Sequence, residues 1–280
     1  MSRPTLIVNP FAHRVSEERV RQVEAELRPI ETLLTERRGH AIELAREAAG
    51  DTVWVLGGDG LVNEVLNGLR PDVPLGVVAA GHTNVLARAL GIGPGPLGAR
   101  KPRRISLGRV NGRRFSFSSG IGVDSETVRA METEVRMHEG RRPGDLAYAR
   151  DIATRLVRGY EPELEIGGAG RAALLFVSND AVFTYAGSVP LRFCPDARFD
   201  LGLDYVALER IRLRSIAGVL ARLFSGRGLA GAPGAISAHD VDRIEVVCDR
   251  PRPLQTDGED LGDVEGAVFE AERDAVSLLV

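Results

Sequence analysis

Lysine is almost missing from this chain of 280 residues: Lys101 stands alone among 36 basic residues. A Walker A loop needs Gly-Lys followed by Ser or Thr, and a protein kinase needs a strand lysine, so both classes are excluded. Cysteine is scarce too. Cys194 and Cys248 are too few for a disulfide framework and too far apart for a zinc cluster, which fits a reducing cytoplasm. The start of the chain enters a strand directly, with no apolar leader, and no apolar run approaches the ~18 residues of a spanning helix. The expected location is therefore cytoplasmic, without a transmembrane segment, and any membrane contact is peripheral. A net charge of -3 gives no general pull toward nucleic acid, which is excluded as a partner. With 44% hydrophobic and 5% aromatic residues, the chain is an ordinary globular one with room for two cores.

The most informative segment runs from Val53 to Gly68, V-W-V-L-G-G-D-G-L-V-N-E-V-L-N-G. It reads as a buried strand, a glycine turn with one carboxylate, and a helix start. Glycines let backbone approach a phosphate, the helix start offers unpaired N–H groups, and Asp59 can hold a divalent cation against the phosphates. A plain strand-to-helix turn would show the same residues. The dinucleotide-binding pattern fails, because Asn63 stands where a third glycine or alanine belongs.

Around this segment the pattern alternates. Thr5–Asn9, Thr32–Thr35, Val53–Leu56 and Leu75–Ala79 read as strands; Ser16–Leu27, His40–Ala49, Leu61–Leu69 and Val85–Leu90 read as helices, with Ser16 as an N-cap. That alternation predicts a Rossmann-like parallel sheet whose ligand lies beyond the carboxyl ends of the strands. Asn9, Gly57 to Gly60 and Gly81 to Asn84 should share that edge. Gly91 to Gly98 is the densest breaker segment and marks a boundary. An α/β nucleotide-binding domain is expected over 1–98, a β-rich, sandwich-like domain over 99–269, and a possible return of 270–280 to the first. Strands are expected at Arg104–Val110, Arg114–Ser118, Glu163–Ile166, Ala172–Ser178, Leu203–Glu209 and Ile244–Cys248, with helices at Asp145–Val157 and Leu213–Phe224. The arginines around these two helices fit either lipid headgroup contact or an ordinary solvated face. An exposed strand edge in the β-rich domain would offer a route to a homodimer.

Several motifs in order resemble the diacylglycerol kinase catalytic family, which includes soluble bacterial lipid kinases and the sphingosine and ceramide kinases. They are Asn9-Pro10, Gly57 to Gly60 with Asn63-Glu64-Val65 and Asn67-Gly68, Gly81 to Arg88, Gly120 to Asp124, Asn179, Pro195-Asp196-Ala197 and Asp257-Gly258-Glu259. The resemblance implies transfer of the γ-phosphoryl group of ATP, with Mg2+, to a hydroxyl of a membrane lipid, diacylglycerol first among them. It places the nucleotide between the two domains and the lipid in the β-rich one. It implies cofactor contacts from Asn9, Gly57, Gly58, Asp59, Gly60, Glu64, Gly81, His82, Thr83 and Asn84. The catalytic carboxylates are Asp59, Asp257 and Glu259. The family points two ways on the base, the Asp59 position in sphingosine kinases and the later Asp-Gly-Glu in bacterial relatives; Glu259 is preferred here, with Asp59 aiding magnesium and phosphate. Taken by itself, Asp257-Gly258 is also a common hairpin turn.

The chain departs from the family pattern at three positions. Leu61 replaces the threonine of many bacterial members, and His82 takes the usual threonine position beside Thr83. In the run Asp200-Leu201-Gly202-Leu203-Asp204, Leu201 replaces a carboxylate that bacterial relatives give to a structural magnesium, leaving Asp200, with Asp204, as the candidate ligands. Alternatives are a kinase for a sphingoid, ceramide-like or other lipid alcohol, an NAD kinase-like enzyme, and a non-catalytic nucleotide- or lipid-binding protein.

Overall fold

A computed structural model describes residues 3–93, 95–137, 151, 154–155 and 159–280. The chain divides into two compact units, Met1–Leu107 with Glu272–Val280, and Gly108–Ala271.

The first unit alternates strands and helices: β1 (Pro4–Val8), α1 (Glu17–Leu27), β2 (Glu31–Leu34), α2 (His40–Glu47), β3 (Thr52–Gly57), α3 (Asp59–Gly68), β4 (Leu75–Ala79) and α4 (Val85–Ala89). Ser16 caps α1, its side chain accepting from Arg19 N at 3.2 Å. The strands pair in parallel in the order β2-β1-β3-β4, and the end of β16 (Glu259–Leu279) adds beside β4 with Leu278 opposite Leu75. Because neighbouring residues point to opposite faces, Leu6, Val8, Trp54, Leu56 and Val78 form one core with Val23 of α1. On α2 and α3, which pack on each other, Ala41, Ala45, Val62 and Leu66 are buried. Gly68 permits that packing, since a Cβ there would lie 2.0 Å from the carbonyl oxygen of Ile42. The strand order reverses direction between β1 and β3, the place where such sheets bind ligands.

The second unit is built on antiparallel pairs. Its strands are the end of β5 (Pro102–Val110), β6 (Arg113–Phe115), β7 (Ser118–Ile121), β8 (Leu164–Ile166), β9 (Gly170–Ala172), β10 (Leu174–Ser178), β11 (Val182–Ala186), β12 (Val189–Arg192), β13 (Leu203–Leu208), β14 (Ala235–Val241), β15 (Arg243–Thr256) and most of β16. The sheet order is β14-β13-β10-β7-β15-β16, while β11 and β12 form a separate hairpin. Strand β10 shows why this unit has two cores: Leu175 and Val177 join Phe115, Tyr205 and Phe269 on one face, whereas Leu174 and Phe176 join Val206, Phe193 and Leu223 on the other. The helices α5 (Val123–Met137) and α6 (Leu213–Phe224) accompany the strands.

The sequence expectations hold for the alternating half and for α6. They differ at α5, a helix of 15 residues where none was expected. Arg114–Ser118 is also two strands and not one, because residues 116 and 117 leave the ladder to meet Asp257. The helix expected at Asp145–Val157 lies largely outside the described residues.

Candidate active site

Parallel register brings the carboxyl ends of β1, β3 and β4 level, so Asn9, Gly58 to Gly60 and Ala80 to Asn84 leave the sheet together. Backbone bonds tie them: Asn9 N donates to Leu56 O at 3.1 Å, Ala80 N to Gly57 O at 2.7 Å, and Arg14 N to Ala80 O at 3.1 Å. The two glycine loops touch. A Cβ on Gly81 would stand 2.6 Å from Gly58 Cα and 2.9 Å from Asn84 Oδ1, and a Cβ on Gly58 would stand 3.0 Å from Gly81 Cα. Only glycine fits at such an approach.

Each polar residue of this edge has a definite place. Asp59 opens α3, and its carboxylate accepts from Val85 N at 2.9 Å and Leu86 N at 3.3 Å, capping α4 across the gap between loops. Asn84 adopts a left-handed conformation with φ 51°; its Oδ1 accepts from Gly81 N at 2.8 Å and its Nδ2 donates to Gly81 O at 3.0 Å. His82 and Thr83 lie within the turn so closed, and the His82 ring stacks on His13 with centroids 6.3 Å apart. Asn9 Oδ1 accepts from Phe11 N at 2.9 Å, shaping the loop after β1. Glu64 turns elsewhere. Buried one turn along α3, it accepts from Gly39 N at 2.7 Å and Ala41 N at 3.1 Å and anchors the start of α2.

The residues of this edge fit a polyphosphate. Gly58 is the N-cap of the ten-residue α3 and gives it no side-chain cap, so the first amides of the helix present a positive end to an anion.

In the second unit, Asp257 and Gly258 form the two-residue turn between β15 and β16, with φ 48° and 80° and Thr256 opposite Glu259. Both positive angles match the tight turn that suits a twisted hairpin. The Asp257 side chain folds inward, only 6% exposed. One oxygen accepts from Ser116 N at 2.7 Å and Ser116 Oγ at 2.9 Å, the other from Phe117 N at 3.0 Å and Ser118 N at 3.2 Å. Asn179 braces the same segment, Nδ2 donating to Ser116 O at 2.8 Å. Glu259 is two residues on, in partial contact with solvent and 3.4 Å from Arg113 Nη2. Sequence reading singled out neither Ser116 nor Arg113, since neither belongs to a motif.

Asp200 is held by its neighbour Arg198, at 2.9 and 2.5 Å. Asp204 is buried and accepts from Asp240 N at 3.0 Å, with His239 Nδ1 2.9 Å away. That pairing raises the His239 pKa, the hydrogen bond to Asp204 being the main cause. Each carboxylate already faces a basic side chain, and among the described residues no group of three or more His, Cys, Asp and Glu side chains is arranged for a metal.

Residues 3–110 match the diacylglycerol kinase catalytic domain. The matched segment contains all three loops at the sheet edge, whereas Asp200, Asp257 and Glu259 lie beyond the match. The chain is 28% identical over 284 residues to the diacylglycerol kinase of Bacillus subtilis (strain 168), covering 92% of this chain and 90% of that one. It is 49% identical over 69 residues to sphingosine kinase 1 of Homo sapiens, 21% of this chain and 18% of that one. A crystal structure of a diacylglycerol kinase from Bacillus anthracis str. Sterne aligns with a TM-score of 0.70 at 20% identity, over 99% of this chain and 96% of that one. At that identity the likeness is one of fold.

Proposed function

We propose that this lipid kinase transfers the γ-phosphoryl group of ATP to the free hydroxyl of diacylglycerol, giving phosphatidic acid and ADP. The observation that carries the reading is the meeting of the Gly58 and Gly81 loops beside an uncapped α3, within the residues that match the kinase family. In this reading the α3 amides and the Gly81–Asn84 turn hold the phosphates. Asp59 holds the metal side of the nucleotide and keeps α4 in position. A bound Mg2+ neutralises charge on the phosphate oxygens.

The second unit supplies the acceptor chemistry. The lipid hydroxyl oxygen bonds to the γ-phosphorus, the bond from that phosphorus to the ADP oxygen breaks, and the hydroxyl proton passes to the Glu259 carboxylate. Arg113 keeps that carboxylate in place. Asp257 is a positioning residue: its four accepted hydrogen bonds fix the turn that presents Glu259. With no helix among the described residues long and apolar enough to cross a membrane, the enzyme meets its lipid from the surface.

A sphingoid long-chain base is the second reading, favoured by the likeness to sphingosine kinase 1. The test is transfer of labelled γ-phosphate from ATP, with magnesium, to separate mixed micelles of diacylglycerol, sphingosine and ceramide, with soluble NAD in parallel. Label in phosphatidic acid is the expected result. Label in a sphingoid phosphate installs the second reading, and label on NAD alone overturns both.

A further inference from the structure

Helix α6 is apolar on both sides. Val219 and Leu223 face the second core of their unit, while Ala217, Leu220, Ala221 and Phe224 recur at helical spacing on the exposed side. Leu220 is 44% exposed and Phe224 60%. An exposed helix face normally carries charge, and from Ala217 to Phe224 the described residues of this stripe carry none. Strand β12 packs beside α6, and its hairpin exposes a further apolar side chain at its tip, Val189, 44% exposed. Arg192 reaches the same place, its Nη1 3.9 Å from where a Cβ on Gly226 would stand. Large apolar side chains exposed singly are ordinary; clustered ones mark a contact surface.

Charge identifies the partner. From Arg210 to His239 the chain has five arginines and no acidic residue, although the whole protein is net negative. Arg210 is offset by Glu161 at 3.3 Å, but Arg222 bonds only carbonyl oxygens of Gly228 and Ala230 and so keeps its charge in the local sum. The hairpin region 181–195 likewise holds Arg192 and no acid. A second copy of this chain would set like charge against like in a self-complementary contact, which disfavours it.

We propose that the outer stripe of α6 and the β11–β12 hairpin dock on the surface of an anionic phospholipid bilayer. Leu220, Phe224 and Val189 enter the boundary between headgroups and acyl chains, and the excess positive charge of this surface, Arg192 and Arg227 within it, faces the headgroup phosphates. The purpose of this surface, delivery of the enzyme to its lipid, rests on the kinase reading; binding itself is measured without turnover.

The test compares the full chain with the double variant Leu220→Ser/Phe224→Ser in flotation with phosphatidylcholine vesicles, with and without phosphatidylglycerol, and no nucleotide. Thermal melting verifies that the variant folds. Wild type should bind the anionic vesicles, less at high salt, and the variant at least ~10-fold more weakly, as loss of two inserted apolar side chains requires. Both should phosphorylate a short-chain, monomeric diacylglycerol at the same rate. Equal vesicle binding by variant and wild type, no wild-type binding, or equal binding to neutral and anionic vesicles would overturn the proposal. So would a dimer in size-exclusion chromatography that the variant abolishes. Vesicle binding that depends on Leu220 and Phe224, with no phosphate transfer to any lipid, would uphold the surface and sink the kinase reading.

Discussion

In the first unit the carboxylate of Asp59 receives the amides of Val85 and Leu86 from a partly exposed position at the sheet edge. In the second, the carboxylate of Asp257 receives three amides and a hydroxyl while 6% exposed. An ionised carboxylate offers about four acceptor sites, and at least four donors surround Asp257. Two aspartates with the same look in sequence, each beside glycine, thus differ in kind. Asp59 lies where a ligand can reach it and joins two loops of one binding edge. Asp257 is spent on architecture, and the chemistry of its turn passes to Glu259.

Substitution separates the two most sharply in stability. Asp257→Ala strands three buried amides and a hydroxyl, and should cost about 3–5 kcal/mol, by the scale for removing one partner of a buried charged network. Chemical denaturation followed by a probe in the second unit measures it; a loss below about 1 kcal/mol, the worth of one ordinary hydrogen bond, would erase the distinction.

Asp59→Ala should cost less in stability, about 1–2 kcal/mol, the usual value of a lost helix cap. Its effect on Mg·ATP should be the greater one, an affinity at least ~10-fold weaker by titration calorimetry, from loss of a carboxylate on the metal side. Unchanged affinity would remove Asp59 from the phosphate site.

The smallest effect concerns reactivity. Burial pushes the Cys194 thiol up to about 12, because a thiolate in apolar surroundings is unsolvated. A raised value in the folded state keeps the thiol protonated, so its contribution to stability is intact at neutral pH and is lost as pH rises toward that value. Cys194 should resist a thiol reagent at pH 8 until the protein is unfolded, and rapid labelling of the folded chain would contradict its burial.

Much of the first unit was legible because its signals are local. A strand, a glycine turn and a helix start within sixteen consecutive residues need no distant partner to be read, and the parallel register then places Asn9 and Gly81 beside them. Glu64 was less legible: its motif suggested a ligand contact, but its oxygens serve Gly39 and Ala41, 25 and 23 residues away. In the second unit β15 passes through Pro251 and Pro253, which read as breakers; the ladder absorbs them by shifting register between Val247 and Arg252 and again between Pro253 and Gln255. Strand β16 hid behind Gly262 and Gly266 for a similar reason. The backbone comes so close at Gly266 that a Cβ would stand 2.9 Å from Val246 O. The role of Asp257 was invisible, since its partners lie 139 to 141 residues earlier and none forms a motif with it.

The most direct measurement is single-turnover phosphate transfer from ATP to diacylglycerol by wild type and Glu259→Gln, with ATP affinity and melting temperature measured alongside. Wild type should form phosphatidic acid, and the variant should do so about 10²–10⁴-fold more slowly, the range for removing a general base, with affinity and melting unchanged. Equal transfer by the two would take the base away from Glu259, and no transfer by wild type to any lipid would contradict the account.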